Sequence, residues 1–106
     1  MTWPLARGQV VRAEIGLAEP KLFVVVSNNR RNRRLGDVLG ARLTTSSKPS
    51  IPSIVELEGE SLAGQVVCDD IVALYEDEIL AVVGGLSRQS MGAVDRGLAA
   101  ALGLGD

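Results

Sequence analysis

The 106-residue sequence contains no histidine, and that absence removes several chemistries at once. A histidine acid/base pair, a Ser-His-Asp triad and the usual zinc sites all need imidazole. Catalysis here must rest on Lys, Arg, Asp, Glu, Tyr, hydroxyl groups or one thiol. Cys68 is the sole cysteine, which excludes an internal disulfide and any cysteine-rich metal site. Aromatic residues make up only 3% of the chain, so a core has to be assembled from Val, Leu, Ile and Ala. No apolar run approaches the roughly 20 residues that span a bilayer. The opening Met1–Arg7 stretch is too short and too weakly apolar for a secretory signal. A cytoplasmic protein without membrane association is expected, and no cofactor or metal is called for.

What is present is a chain with 46% hydrophobic residues, the composition of a folded protein rather than a disordered tail. Its length suits a single domain over residues 1–106 with one core. The net charge of −2 conceals a lopsided distribution. Up to Lys48, nine basic residues stand against Glu14, Glu19 and Asp37, a net +6. From Pro49 onward two arginines stand against ten acidic residues, a net −8. The densest basic patch is Arg30-Arg31-Asn32-Arg33-Arg34. Such asymmetry points to an anionic partner for the first half, against the alternative of a merely solvated loop.

Alternation and turn residues divide the chain into short strands. Gly8–Ile15 sets Val11, Ala13 and Ile15 on one side and Arg12 and Glu14 on the other. Gly16–Pro20 is a connector. Lys21–Ser27 is nearly all apolar, as expected of a strand covered on both faces. Asn28–Gly36 reads as a polar, arginine-rich loop. Asp37–Thr45 is a third strand and Ser53–Glu58 a fourth, separated by a Ser- and Pro-rich loop. Gly64–Asp69 and Ile71–Tyr75 give two more, and Leu80–Leu86 a seventh, after one helical turn at Glu76-Asp77-Glu78. Ser87 then reads as an N-cap, with Met91, Val94, Leu98 and Ala101 recurring at helical spacing up to Gly103. A mainly β fold with a C-terminal helix follows, an α+β arrangement built on a small antiparallel barrel. Cys68, between apolar neighbours, is expected in the core.

Taken in order, these segments resemble the MazF/PemK family of bacterial toxins. The likeness runs through Arg7-Gly8-Gln9-Val10-Val11, Lys21–Asn29, Arg42-Leu43-Thr44-Thr45-Ser46, Pro52–Leu57, Val66–Ile71 and the closing Gly85–Leu104 segment. The resemblance implies an SH3-like barrel of the CcdB/PemK type with a C-terminal helix, paired as a homodimer. It further implies a toxin of a type II toxin–antitoxin system, one that cleaves single-stranded mRNA without metal. In that chemistry the ribose 2′-hydroxyl attacks the adjacent phosphate, leaving a 2′,3′-cyclic phosphate and a 5′-hydroxyl. The implied partners are single-stranded RNA and a MazE-like antitoxin.

Carried over residue by residue, the family's catalytic threonine falls on Thr44 and its catalytic arginine on Lys21, followed by Leu22 where the family has proline. Lysine supplies a point charge in place of a planar two-pronged donor. Arg42 lies two residues before Thr44, so the two share a strand face about 6–7 Å apart. It is the candidate to supply the guanidinium missing at position 21, against the alternative of an outward surface arginine. Asn28, Asn29, Arg30, Arg31, Arg33, Arg34, Thr45 and Ser46 are the candidate RNA-binding residues. Asp69 resembles an aspartate that some members use near the site, but the arginine they carry two residues earlier is Val67 here. The connector between the first two strands is shorter than is usual in the family, which leaves RNA sequence preference open. Two other readings stand beside the enzyme: a binding module of the same fold without catalysis, and a gyrase poison of the CcdB type. The latter is disfavoured by the lack of an aromatic residue at the end of the C-terminal helix.

Overall fold

The structure is a computed structural model that describes residues 1–105. Strands β1 (Gln9–Ala13), β2 (Lys21–Val25), β3 (Val38–Thr44), β4 (Ile54–Glu56), β5 (Gln65–Leu74) and β6 (Ile79–Gly85) join helices α1 (Asn29–Leu35) and α2 (Arg88–Leu102). A 3-10 turn covers Glu76–Glu78. The strands form one sheet in the order β4-β5-β3-β2-β1-β6, every pair antiparallel. The α+β expectation holds, but the barrel is loose. β4 and β6 are the two edges, and no ladder joins them among the described residues.

Alternation along the strands divides the core into two layers. Val10, Val24, Ala41, Leu43, Val55, Val66 and Cys68 face one way and are covered by Val94 of α2, with Met91, Leu98 and Ala101 packed beside them. Val11, Ala13, Phe23, Val25, Val38 and Leu74 face the other way, under Leu5 and the flanking Trp3. β2 therefore has both faces covered, which accounts for its nearly unbroken apolar run. Helix α2 begins at Ser87, whose side chain accepts from the Ser90 amide at 3.1 Å, and ends at Gly103 in the left-handed region. Both ends are where the sequence puts them. Glu60 adds a second hold on that start: its carboxylate accepts from the Ser87 amide at 2.8 Å. Hydrogen bonding, from the Ser90 side chain first and then from Ser87, holds the Glu60 carboxyl below the usual range. This hold is kept at neutral pH and lost as pH falls through that lowered value.

Two expectations are corrected. The arginine-rich segment is a helix, not a loop. Asn28 caps it, accepting from the Arg31 amide at 2.7 Å, and Gly36 closes it at φ 76°, donating to the Asn32 carbonyl at 3.1 Å. Arg33 and Arg34 in its last turn complement the helix dipole. Its one buried side chain is Asn32, so no apolar periodicity announces it. Asn32 Oδ1 accepts from the Ser27 hydroxyl at 2.6 Å, its Nδ2 donates to the Ser27 carbonyl at 3.2 Å, and Ser27 in turn accepts from the Leu39 amide at 2.8 Å. These bonds satisfy polar groups that would otherwise be costly to bury.

The second correction concerns Gly64–Asp69 and Ile71–Tyr75, which form one strand, β5, interrupted by a bulge. Ala41 pairs with Ile71 while Arg42 pairs with Val67, so Cys68, Asp69 and Asp70 are extra residues opposite one step of β3. Bulges of this kind re-aim side chains without ending the strand. Six strands result instead of seven.

Gly64 has φ +135°, and a Cβ there would lie 2.6 Å from the Thr44 carbonyl oxygen. Gly59 has φ +70° but nothing within 4 Å of a Cβ. Gly64→Ala is expected to cost about 2 kcal/mol, lowering the melting temperature by about 10 °C, with Gly59→Ala costing clearly less. Thermal denaturation followed by circular dichroism checks this; equal shifts for both variants would show that closeness to Thr44 is irrelevant. Cys68 is fully buried, and burial, with the Asp69 charge second, pushes its thiol up to about 11. The neutral thiol is favoured in the fold, so its contribution is full below the unfolded value near 9 and is lost as pH rises through about 11. Ellman's reagent at pH 8 is expected to leave Cys68 unmodified in the folded protein and to react fully in urea.

Candidate functional site

The antiparallel register of β2 and β3 builds the site. Leu22 pairs with Leu43 and Phe23 with Arg42, and one step further along the ladder brings Lys21 beside Thr44. Residues paired across strands share a face, so Lys21, Arg42 and Thr44 continue the layer that Phe23, Val25 and Val38 occupy further in. A cleft of about 240 Å³ opens at that end, lined by Glu19, Lys21, Arg42, Thr44, Thr45 and Ser46. The three candidate catalytic residues therefore meet in one place.

The cations in this cleft differ in what holds them. Lys21 Nζ lies 3.2 Å from Glu19 Oε1, an ion pair whose acid is largely exposed and screened by solvent. Arg42 is in no ion pair among the described residues, and its Nε is buried without a hydrogen-bond partner. An uncompensated guanidinium at the floor of a cleft is a standing attraction for an anion. Thr44 Oγ1 accepts from the Ser46 amide at 3.1 Å, which fixes the oxygen and leaves its proton free to be donated.

A smaller recess of about 70 Å³ adjoins the cleft, lined by Arg42, Thr44, Lys48, Val67 and Asp70. Asp70 and Lys48 were not singled out by the sequence. The bulge in β5 sets Asp70 here, and no local pattern of residues announces a bulge. Asp69, the aspartate suggested by resemblance, accepts instead from the Ser53 hydroxyl at 2.6 Å. The backbone of Lys48 is tied down by a 3.0 Å bond from its amide to Gln65 Oε1, and Gln65 Nε2 donates to Glu56 at 2.9 Å.

The arginine-rich segment stands apart. α1 follows the far end of β2 and precedes the far end of β3, six residues and about 20 Å along β3 from Thr44. Asn28 serves there as the helix cap, and Asn29 Oδ1 accepts from the Arg7 amide at 2.7 Å. Arg31 turns inward, 2.8 Å from Asp37 Oδ1, and donates to the Asp37 carbonyl at 3.1 Å. Arg30, Arg33 and Arg34 are exposed and unpaired among the described residues. Arg7, outside the predicted set, donates to the Val26 carbonyl at 2.8 Å and ion-pairs with Asp95 of α2. The cations near Thr44 and those on α1 thus form two separate groups at opposite ends of the sheet.

Comparison with known proteins agrees with this architecture. Residues 6–102 match the profile of the family described as PemK-like, MazF-like toxins of type II toxin–antitoxin systems. The chain is 40% identical over 105 residues to the endoribonuclease MazF4 of Mycobacterium tuberculosis and, equally, to the endoribonuclease MazF1 of Mycobacterium bovis, covering 98% of this chain and 97% of each relative. A mycobacterial endoribonuclease solved in complex with its cognate antitoxin superposes with a TM-score of 0.86 at 39% identity, over 94% of this chain and 96% of that one. With a match over nearly its whole length, a shared fold and relatives at 40% identity, the chain belongs to the PemK-like, MazF-like family of type II toxins.

Proposed function

We propose that the protein is an endoribonuclease that cleaves single-stranded mRNA by attack of a ribose 2′-hydroxyl on the neighbouring phosphate, without a metal ion. The observation that carries this reading is the unpaired Arg42 guanidinium, set in one cleft with Lys21 and Thr44 on a chain whose 40%-identical relatives are endoribonucleases. When the 2′-oxygen bonds to phosphorus, negative charge builds on the two non-bridging oxygens before the bond to the 5′-oxygen breaks. Arg42 and Lys21 stabilise that charge, and Thr44 donates a hydrogen bond to it. Asp70, in the adjoining recess, is the carboxylate placed to take the 2′ proton. The departing 5′-oxygen leaves protonated, with the Lys21 ammonium as donor. The products are a 2′,3′-cyclic phosphate and a 5′-hydroxyl. Cations on fixed strands here do the work that a metal performs in other nucleases.

The same cleft suits a MazE-like antitoxin, whose acidic side chains would compete with phosphate for Arg42 and Lys21. A solved relative bound to its cognate antitoxin supports that partnership. Two copies of the chain are proposed to pair as a homodimer in the cytoplasm. Leu80 and Val82 on the edge strand β6 are 52% and 38% exposed, and apolar edges of this kind are usually covered.

Purified protein incubated with a long single-stranded RNA in EDTA is expected to cleave it, leaving cyclic-phosphate ends. Arg42→Ala and Thr44→Ala are each expected to lower the cleavage rate about 100-fold or more. Lys21→Ala should fall similarly, with Lys21→Arg recovering most of the loss. Cleavage undiminished in all three alanine variants, or dependent on added magnesium, would remove this mechanism. Failure of the wild type to cut, with RNA still bound, would favour the non-catalytic binding module. Light scattering at micromolar concentration is expected to give about twice the 11.2 kDa chain mass; a monomer would dismiss the pairing through β6.

A further inference from the structure

At the far end of the same sheet face lies a second cleft of about 290 Å³, lined by Thr2, Trp3, Pro4, Leu5, Asn29 and Arg33, with Ala6 beside them. Trp3 is the only tryptophan in the chain and is half-buried, packed against the layer of Phe23, Val25 and Val38. The cleft is built rather than incidental. The Arg7 amide bonds to Asn29 Oδ1 at 2.7 Å, tying the N-terminal segment to α1. The buried Asn32 holds α1 against Ser27, with a longer 3.5 Å contact to the Leu5 carbonyl.

One cation lines the cleft beside Trp3. Arg33 lines the cleft, while Arg30 and Arg34 stand exposed on the same helix, all three without ion pairs among the described residues. Asn29 spends its oxygen on Arg7, which leaves its Nδ2 as a free donor at the cleft. An indole, two donors and a field of phosphate-attracting charge are the elements that bind an unstacked base of a single strand. A purine or pyrimidine is planar, carries ring nitrogens and carbonyls that accept from Arg and Asn, and is small enough for the space. An acidic peptide without aromatic residues would satisfy the arginines but offers the indole no ring to stack on.

We propose that this cleft is a nucleobase subsite for single-stranded RNA, with Trp3 as the stacking platform and Arg33 and Asn29 as donors to the base edge. It rests on the ribonuclease reading above and extends it. Strand β3 runs from this cleft to Thr44, so RNA passing over the outer surface of that covered layer places one base at Trp3 and a phosphate a few nucleotides away at Arg42. The separation of the two basic groups then becomes a measure of the RNA length engaged.

Because Trp3 is the sole tryptophan, its emission reports on this cleft alone. The protein is titrated with short single-stranded RNA carrying 2′-O-methyl sugars, which cannot be cut. A parallel set has one base removed at successive positions, and a third titration uses an acidic Asp/Glu/Leu peptide. Saturable quenching by RNA is expected, lost for one particular abasic position. Arg33→Glu and Trp3→Ala are expected to weaken binding of a labelled oligomer about tenfold or more, with Trp3→Phe close to wild type. Circular dichroism confirms that each variant is folded; Arg33, exposed on α1, tests the cleft even if Trp3→Ala disturbs the core. Unchanged emission and affinity in a protein that still cleaves RNA overturns the subsite and leaves the ribonuclease standing. Absence of both RNA binding and cleavage overturns the two together. Quenching by the peptide and not by RNA assigns the cleft to a protein partner and overturns the proposal.

Discussion

The antiparallel pairing of β2 with β3 is the constraint on which the rest of the molecule turns. In that register Lys21, Phe23 and Val25 share a face with Thr44, Arg42 and Val38, and this one face is apolar and covered over most of its length and polar at one end. A one-residue slip of β2 would turn Lys21 and Phe23 together to the face that α2 covers, burying a charge there and parting Lys21 from Arg42 and Thr44. The burial of Phe23 and its neighbours therefore also holds the cleft residues in place. Stability and chemistry are not separate features of this sheet; the same hydrogen-bond ladder enforces both.

Charge is arranged on that frame in two groups rather than one. The near-neutral total of −2 would not draw a polyanion, but local fields do not average over a protein. Several cations are already spent internally: Arg7 on Asp95, Arg31 on Asp37 and Lys21 on Glu19. Among those left without an ion pair are Arg42 in the cleft and the outer arginines of α1. Arg42 lies low in the sheet, where screening is weak and an anion gains most. The α1 arginines stand in water, where they attract and orient a strand more than they grip it.

Much of the fold was legible from residues alone, and the reasons are local. β1 and β2 follow from alternation and from an apolar run bounded by turns. The limits of α2 were marked by Ser87 and Gly103, a hydroxyl cap and a left-handed glycine. Of the site, Thr44 and Arg42 on one face follow from period-two geometry, and their meeting with Lys21 agrees with the family pattern. α1 was missed because a seven-residue helix with a single buried, polar side chain leaves no hydrophobic period; its signals were Asn28 and Gly36, which also suit a loop. Asp70 was missed because its position depends on a bulge that only the mismatch between β3 and β5 creates.

The sequence by itself determined which residues are able to do chemistry, that no imidazole is among them, and where most strands and the long helix begin and end. Those properties reside in side-chain identity and in neighbours a few positions apart. Only the tertiary structure decided that Arg42 lacks a counter-ion, that Asp70 and not Asp69 adjoins it, that the arginines of α1 lie far from Thr44, and that Trp3 closes a cleft beside them. Each of these depends on residues distant in the chain being brought together, and pairing register, bulges and desolvation are settled by the packed sheet as a whole.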